Sequence, residues 1–233
     1  MTEFVLVAGA WLGARAWDEV AAQLRGAGHG VHPVTLSGVS EKRGAAAAGQ
    51  QTHVQDIVEE IERRDLCDVV LVGHSYAGIP VGQAAERIGD RLKHVVFVDA
   101  CVPAHGESFV SAWWQGPAAM EAELAGNGGF WAPQTAAEFE GQGLTGEQIS
   151  RLVSGSTPHP GASLSEPAVL AGPLGDLPTT YVKCLLDGPE PTEDVALLLK
   201  SERWRLVEMD TGHWPMFSEP AELARILLDE ARD

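Results

Sequence analysis

The chain has 233 residues, 45% hydrophobic and 21% charged, a globular composition with room for one domain of a single large core plus an insertion. Its formal net charge of −17 repels phosphate backbones and anionic lipid, so no nucleic-acid or membrane-surface partner is expected, while the charge says nothing positive about the small-molecule substrate. No apolar run reaches the roughly 18 residues that a membrane span needs.

Met1-Thr2-Glu3 leads straight into Phe4-Val5-Leu6-Val7. That run has no basic segment ahead of it and is too short for a signal peptide, so a buried strand and a cytoplasmic location are expected. The strand runs over Phe4–Ala8 and ends in Gly9. Trp17–Arg25 follows, with Trp17, Val20, Ala21 and Leu24 at helical spacing, and Val31–Leu36 reads as a second strand. Gln51–Arg64 sets Val54, Ile57, Val58 and Ile61 on one helical face. Asp68–Val72 is a third strand, Ala77–Ile88 a helix and His94–Val98 a fourth strand. Short apolar strands between amphipathic helices imply a doubly wound, mainly parallel α/β sheet of about six strands.

The rhythm breaks at Pro103. Residues 103–177 hold Gly, Pro, short helix candidates and an aromatic set of Phe109, Trp113, Trp114, Phe130 and Trp131, which reads as a helical cap inserted between core segments 1–102 and 178–233. The α/β pattern resumes with strand Thr179–Leu186, helix Val195–Lys200, strand Trp204–Met209 and helix Ala221–Ala231. Cys67, Cys101 and Cys184 form no CxxC pair and lie near no histidine cluster, which argues against disulfides and a zinc site. Gly26-x-Gly28-x-Gly30 follows a helix and precedes a strand, the wrong context for a dinucleotide, so no cofactor is expected. The wealth of Ala, Gly, Arg and Asp fits a GC-rich bacterial genome, and both monomer and homodimer are compatible with the composition.

The chemistry concentrates in Val69-Val70-Leu71-Val72-Gly73-His74-Ser75-Tyr76-Ala77-Gly78. A buried strand runs into a serine flanked by small residues, and a helix follows at once: the context of a G-x-S-x-G nucleophile elbow, with Ala77 in the second small position. A serine at a helix N-cap is the plain alternative. A serine hydroxyl needs a neighbouring base. His213, in Asp210-Thr211-Gly212-His213-Trp214 just after the last strand, reaches the edge where parallel strands end together. His74 points away from such an elbow, and His29, His32, His53, His94, His105 and His159 have no evident partner. In folds with this elbow the order is Ser, acid, His. Asp187, closing its strand, is preferred as the acid. Asp99, closing His94–Val98, is the rival, and Asp210 a distant third. The backbone N–H of Tyr76, and one from the loop Ala8-Gly9-Ala10-Trp11, taken as that of Ala10, are the candidate oxyanion donors. Trp11, Trp113, Trp114, Phe130, Trp131 and Trp214 are candidate substrate contacts, although aromatics at such spacing also make ordinary cap core.

Together these segments resemble the α/β-hydrolase superfamily, in particular the compact branch of plant methylesterases, hydroxynitrile lyases and their bacterial relatives. The likeness covers Phe4–Trp17, Thr52–Ala84, Phe97–Pro103 and Thr180–Pro220. It implies a Ser75–Asp187–His213 triad with Ala10 and Tyr76 at the oxyanion hole. Two positions depart from that branch. Ala8-Gly9 stands where its members carry His-Gly, and hydroxynitrile lyases carry threonine at the place of Gly9 and lysine just after the catalytic histidine, here Trp214. Lyase chemistry is therefore not expected. The leading expectation is a serine hydrolase that cleaves a small, apolar or aromatic carboxylic ester or lactone through an acyl-enzyme. The alternatives are a biosynthetic tailoring enzyme using the same pocket and a ligand-binding protein with a vestigial triad.

Overall fold

The first apolar run forms β1 (Glu3–Val7) in the computed structural model, which describes residues 1–44, 48–172, 174 and 177–232. The strands that follow are β2 (Gly30–Val34), β3 (Val69–His74), β4 (Leu92–Val98), β5 (Phe130–Trp131), β6 (His159–Pro160), β7 (Thr179–Cys184) and β8 (Trp204–Met209). Six of them make one parallel sheet in the order β2-β1-β3-β4-β7-β8. All of β3 and β7 is buried, as continuous valine-rich or apolar runs require when both faces are covered. The ends of the sheet are more exposed: β8 presents Arg205, Leu206 and Glu208 to solvent, and β2 tolerates Pro33, whose missing N–H costs little on an edge.

The helices are α1 (Asp18–Gly26), α2 (Gln50–Arg63), α3 (Gly78–Arg87), α4 (Pro117–Gly126), α5 (Gly146–Gly155), α6 (Gly161–Ser165), α7 (Glu193–Leu198), α8 (Pro215–Ser218) and α9 (Pro220–Glu230). The pleat sends alternate strand residues to opposite layers. Phe4, Leu6, Val70, Val72, Val96 and Val98 pack with Trp17, Val20 and Leu24 around α1 and with Leu223 and Leu227 of α9. Val5, Val7, Leu71, Val95 and Phe97 pack with Val54, Ile57 and Ile61 of α2 and with Val81 and Ala84 of α3. These are the apolar faces that the helical spacing predicts. Among the described residues no helix is long and apolar enough to cross a membrane.

Two features position the site. The chain leaves β1 towards β2, then crosses back to β3 and continues the other way through β4, β7 and β8. That reversal opens a crevice at the carboxyl ends of β1 and β3, the usual place for a ligand in open α/β sheets. The inserted region departs from the helical expectation. Besides α4, α5 and α6 it contains an antiparallel ribbon in which Phe130 pairs with Pro160 and Trp131 with His159. Two-residue strands carry no alternation, so no periodicity could have announced them. Residues 173, 175 and 176, near the expected end of the insertion, lie outside the described set.

Candidate active site

Strand β3 ends at His74, and Ser75 adopts φ 55°, the left-handed turn that lifts its side chain off the strand before α3 begins. Such a backbone is costly for a residue with a Cβ and persists because its surroundings over-determine it. The close approach falls on Gly78: a Cβ there would collide with the Cys101 carbonyl and lie 2.8 Å from the Ala100 Cβ. Ala77, in the place where the elbow pattern has its second glycine, is fully buried without such a collision, so the demand for glycine has moved one residue along.

His213 lies in the turn between β8 and α8. Its N–H donates to the Gln142 Oε1 at 2.7 Å, and Thr211 and Ser218 join their hydroxyls at 2.6 Å beneath it. From there His213 Nε2 is 2.9 Å from the Ser75 Oγ, and its Nδ1 is 2.7 Å from the Asp99 Oδ2. The sequence preferred Asp187 as the acid; the structure sets Asp99 closer. Asp187 Oδ2 stands 3.3 Å from the same Nδ1. The difference is geometric. Asp99 follows β4 directly and its side chain is 3% exposed, whereas Asp187 ends a 3₁₀ turn beyond β7 and is 44% exposed. Among the described residues, the carboxylates hydrogen-bonded or ion-paired to the histidine ring are those of Asp99 and Asp187.

Lys183 completes the group. Its Nζ donates to the Asp99 Oδ1 at 2.7 Å and to the Asp187 carbonyl at 3.2 Å, and the Cys184 N–H also reaches Asp99 Oδ1. Sequence reasoning passed over Lys183, yet a lysine inside the apolar strand Tyr181–Cys184 was the available signal, because a buried ammonium demands a partner. Asp99, Asp187 and His213 offer donor atoms within 4.8 Å of one another, a spacing that can hold a cation. Here the Lys183 ammonium already supplies positive charge at Asp99, and His213 Nδ1, the ring nitrogen facing both carboxylates, is hydrogen-bonded to Asp99. Burial works against a charged His213, but Asp187 and Asp99 outweigh it and push its pKa up to about 9. Asp187 is also partly buried, and His213 holds its carboxyl below the usual carboxylate range.

The loop after β1 lies against the elbow. A Cβ on Gly9 would sit 2.7 Å from the Ser75 Cβ, so this backbone approaches the serine more closely than a side chain allows. The Gly9 N–H donates to His74 Nδ1 at 3.3 Å, and His74 Nε2 donates to the His213 carbonyl at 2.7 Å. Burial lowers the His74 pKa to about 3, so the ring stays neutral and joins the two loops. The Ala10 N–H has no partner among the described residues. The Tyr76 N–H opens the turn that leads into α3, where first-turn amides lack intrahelical acceptors. The Tyr76 ring is fully buried; His53 Nε2 donates to the Ser37 carbonyl, which leaves Nδ1 to accept the Tyr76 hydroxyl at 2.9 Å.

Of the expected substrate contacts, Trp11, Trp113 and Trp131 come together. Trp11 packs tilted against Trp131 with centroids 4.2 Å apart, and Phe109 lies 5.4 Å from both Trp113 and Trp131. Phe109 also lies edge-on to Tyr76, which ties this cluster to the elbow. Trp114 is 78% exposed, and its ring touches the cluster only at Trp113, 6.1 Å between centroids. Phe130 is half-buried on the ribbon beside Trp131. Trp214 packs on Phe139 and on the edge of His213, inside the other hydrophobic layer, and so supports the histidine from behind.

Comparison with known proteins matches this architecture. The sequence profile described as "Alpha/beta hydrolase family" matches residues 4–226. A carbendazim hydrolyzing esterase of Nocardioides sp. (strain SG-4G) is 34% identical over 97% of this chain and 98% of that one. Methylesterase 7 of Arabidopsis thaliana is 26% identical over 98% and 96%. Among solved structures, an extracellular alpha/beta-hydrolase from a Paenibacillus species, described as sharing structural and functional homology with tobacco salicylic acid binding protein 2, superposes with a TM-score of 0.85 at 24% identity over the whole of both chains.

Proposed function

The chain belongs to the alpha/beta hydrolase family, and on that basis we propose that it is a carboxylic ester hydrolase whose nucleophile is Ser75. The reading rests above all on the unbroken line Ser75 Oγ–His213 Nε2, His213 Nδ1–Asp99 Oδ2, at 2.9 and 2.7 Å. His213 takes the serine proton as Oγ bonds to the ester carbonyl carbon. The carbonyl oxygen becomes an oxyanion that the Ala10 and Tyr76 amides receive. Collapse of this intermediate breaks the bond to the alcohol, which leaves with the proton from His213. Water, deprotonated by the same imidazole, then attacks the acyl carbon, and collapse of that intermediate breaks the bond to Ser75 Oγ, which takes the proton back from His213 as the acid leaves. Asp99 orients the imidazole and stabilises its charged form, and Asp187 adds a second negative charge. The cluster of Trp11, Phe109, Trp113 and Trp131 favours a small apolar or aromatic ester or lactone. Named relatives act as esterases, one on carbendazim.

Wild type and Ser75→Ala are compared on p-nitrophenyl and methyl esters, short lactones, an aromatic ester and carbendazim. The expected outcome is turnover by wild type and a loss of at least about 10³-fold in the variant with unchanged circular dichroism. A variant that keeps wild-type rates removes Ser75 as nucleophile, and an inert wild type removes the hydrolase reading.

A further inference from the structure

Trp11 occupies the left-handed region at φ 67° with a full side chain, so something outside its own turn must hold it there. Among the described residues, its hydrogen-bond and ring partners come from the inserted cap. The Trp11 N–H donates to His159 Nδ1 at 3.3 Å. Its carbonyl accepts the Thr157 N–H at 3.0 Å and the Thr157 hydroxyl at 3.3 Å. Its ring packs tilted against that of Trp131, the ribbon partner of His159.

The hydrogen-bond directions around His159 form a consistent chain. The Ser163 hydroxyl donates to the Pro160 carbonyl at 2.8 Å, so it accepts from His159 Nε2 at 3.0 Å. With the proton on Nε2, Nδ1 is an acceptor and fits the Trp11 amide. His159 is fully buried, and burial together with the neighbouring His53 holds its pKa well below the usual value, which keeps the ring in that neutral form. His74 does the same for the Gly9 amide on the other side. The amides flanking Ala10 are thus both claimed by imidazole acceptors, and that of Ala10 alone is left without a partner.

We propose that His159 is a positioning residue for the oxyanion hole, a cap-borne acceptor that fixes the Trp11 amide so that the Ala10 amide is presented to the developing oxyanion. The role rests on the hydrolase reading above. It makes the cap a structural part of the transition-state site as well as a cover for the substrate. Because the oxyanion forms only as the carbonyl is attacked, loss of this clamp lowers kcat and leaves substrate affinity nearly unchanged.

The test compares the full-length wild type with His159→Leu, which keeps volume without the acceptor, and His159→Asn, whose Oδ1 replaces Nδ1. Two readouts are taken: hydrogen exchange of the Trp11 amide by NMR, and kcat and KM for p-nitrophenyl acetate. His159→Leu is expected to speed Trp11 exchange at least about tenfold. It should lower kcat by about 10- to 100-fold, less than the ~10²–10³ for removing an oxyanion donor outright, with KM within about threefold. His159→Asn should recover most of both effects; a purely structural role would lower the melting temperature of the two variants without that split. Unchanged Trp11 exchange in His159→Leu overturns the proposal, and so does faster exchange with unchanged kcat. If His159→Leu does not fold, Ser163→Ala, which releases the Nε2 proton and the tautomer with it, is read against the same two outcomes. If wild type is inert on esters, the hydrolase reading and the oxyanion role fall together, while Trp11 exchange still reports whether His159 holds the loop.

Discussion

Asp99 and Asp187 meet at one imidazole nitrogen, and their surroundings give them different work. Asp99 is buried, hydrogen-bonded to His213 and paired with the Lys183 ammonium. Asp187 is farther off and open to water, where its charge is screened. Asp99→Asn is expected to cost about 10³–10⁴-fold in kcat, the scale of losing the group that holds a catalytic histidine in its tautomer. Asp187→Asn should cost no more than about tenfold, and equal losses from the two would show that the role is shared. The same pair sets the pH dependence. With the His213 pKa raised to about 9, the base is protonated at neutral pH, so kcat/KM should climb with pH on a limb well above 6.5. Removing the Asp187 charge should move that limb to lower pH. For stability the sign reverses. The raised folded pKa means that the contribution of charged His213 is complete below about 6.5 and is lost as pH rises through about 9. A melting-temperature gap between wild type and His213→Gln that closes over this window would bear this out.

At the level of elements, the strand–turn–helix unit of β3, Ser75 and α3 was legible because three signals agree: a valine-rich strand, small residues around a serine, and helical spacing after it. Its tolerance differs from the sequence pattern at one position. Ala77→Gly should leave activity nearly intact and cost at most about 1 kcal/mol, the penalty for glycine near a helix start. Gly78→Ala drives a methyl into the Cys101 carbonyl; about 1–3 kcal/mol of destabilisation is expected, with loss of activity as the elbow shifts. Urea unfolding and ester turnover of the two variants would test this, and equal behaviour would contradict it. The β5–β6 ribbon was not legible. Its pairing of Trp131 with His159 joins distant segments, and each strand is too short to show a period.

Across the whole molecule, the net charge of −17 shapes which esters can approach. Self-repulsion of like charge and repulsion of anions are both screened by salt, with a Debye length falling from about 30 Å at 0.01 M to about 10 Å at 0.1 M. An ester carrying a carboxylate should therefore show kcat/KM rising with ionic strength over that range, while a neutral ester of the same shape stays flat. Matching salt responses for the two would mean that the field near Ser75 differs from that of the surface as a whole.

The sequence by itself determined the layers of this protein. Continuous apolar runs and period-3.6 apolar patterns assign β1, β3, β4, β7, α2 and α9 within a residue or two, and the elbow and the histidine after the last strand point to Ser75 and His213. These are local signals, because each lies within one strand, one helix or one turn. What tertiary structure supplied were the distances between residues of equal chemistry. Asp99 follows its strand directly, whereas a 3₁₀ turn separates Asp187 from β7, and Asp187 stands farther from His213. His159 looked like one of several partnerless histidines, and its contact with Trp11 exists only because the cap folds back across the carboxyl end of β1. Distances between groups far apart in the chain are set by how the elements pack, and no pattern within an element carries that information.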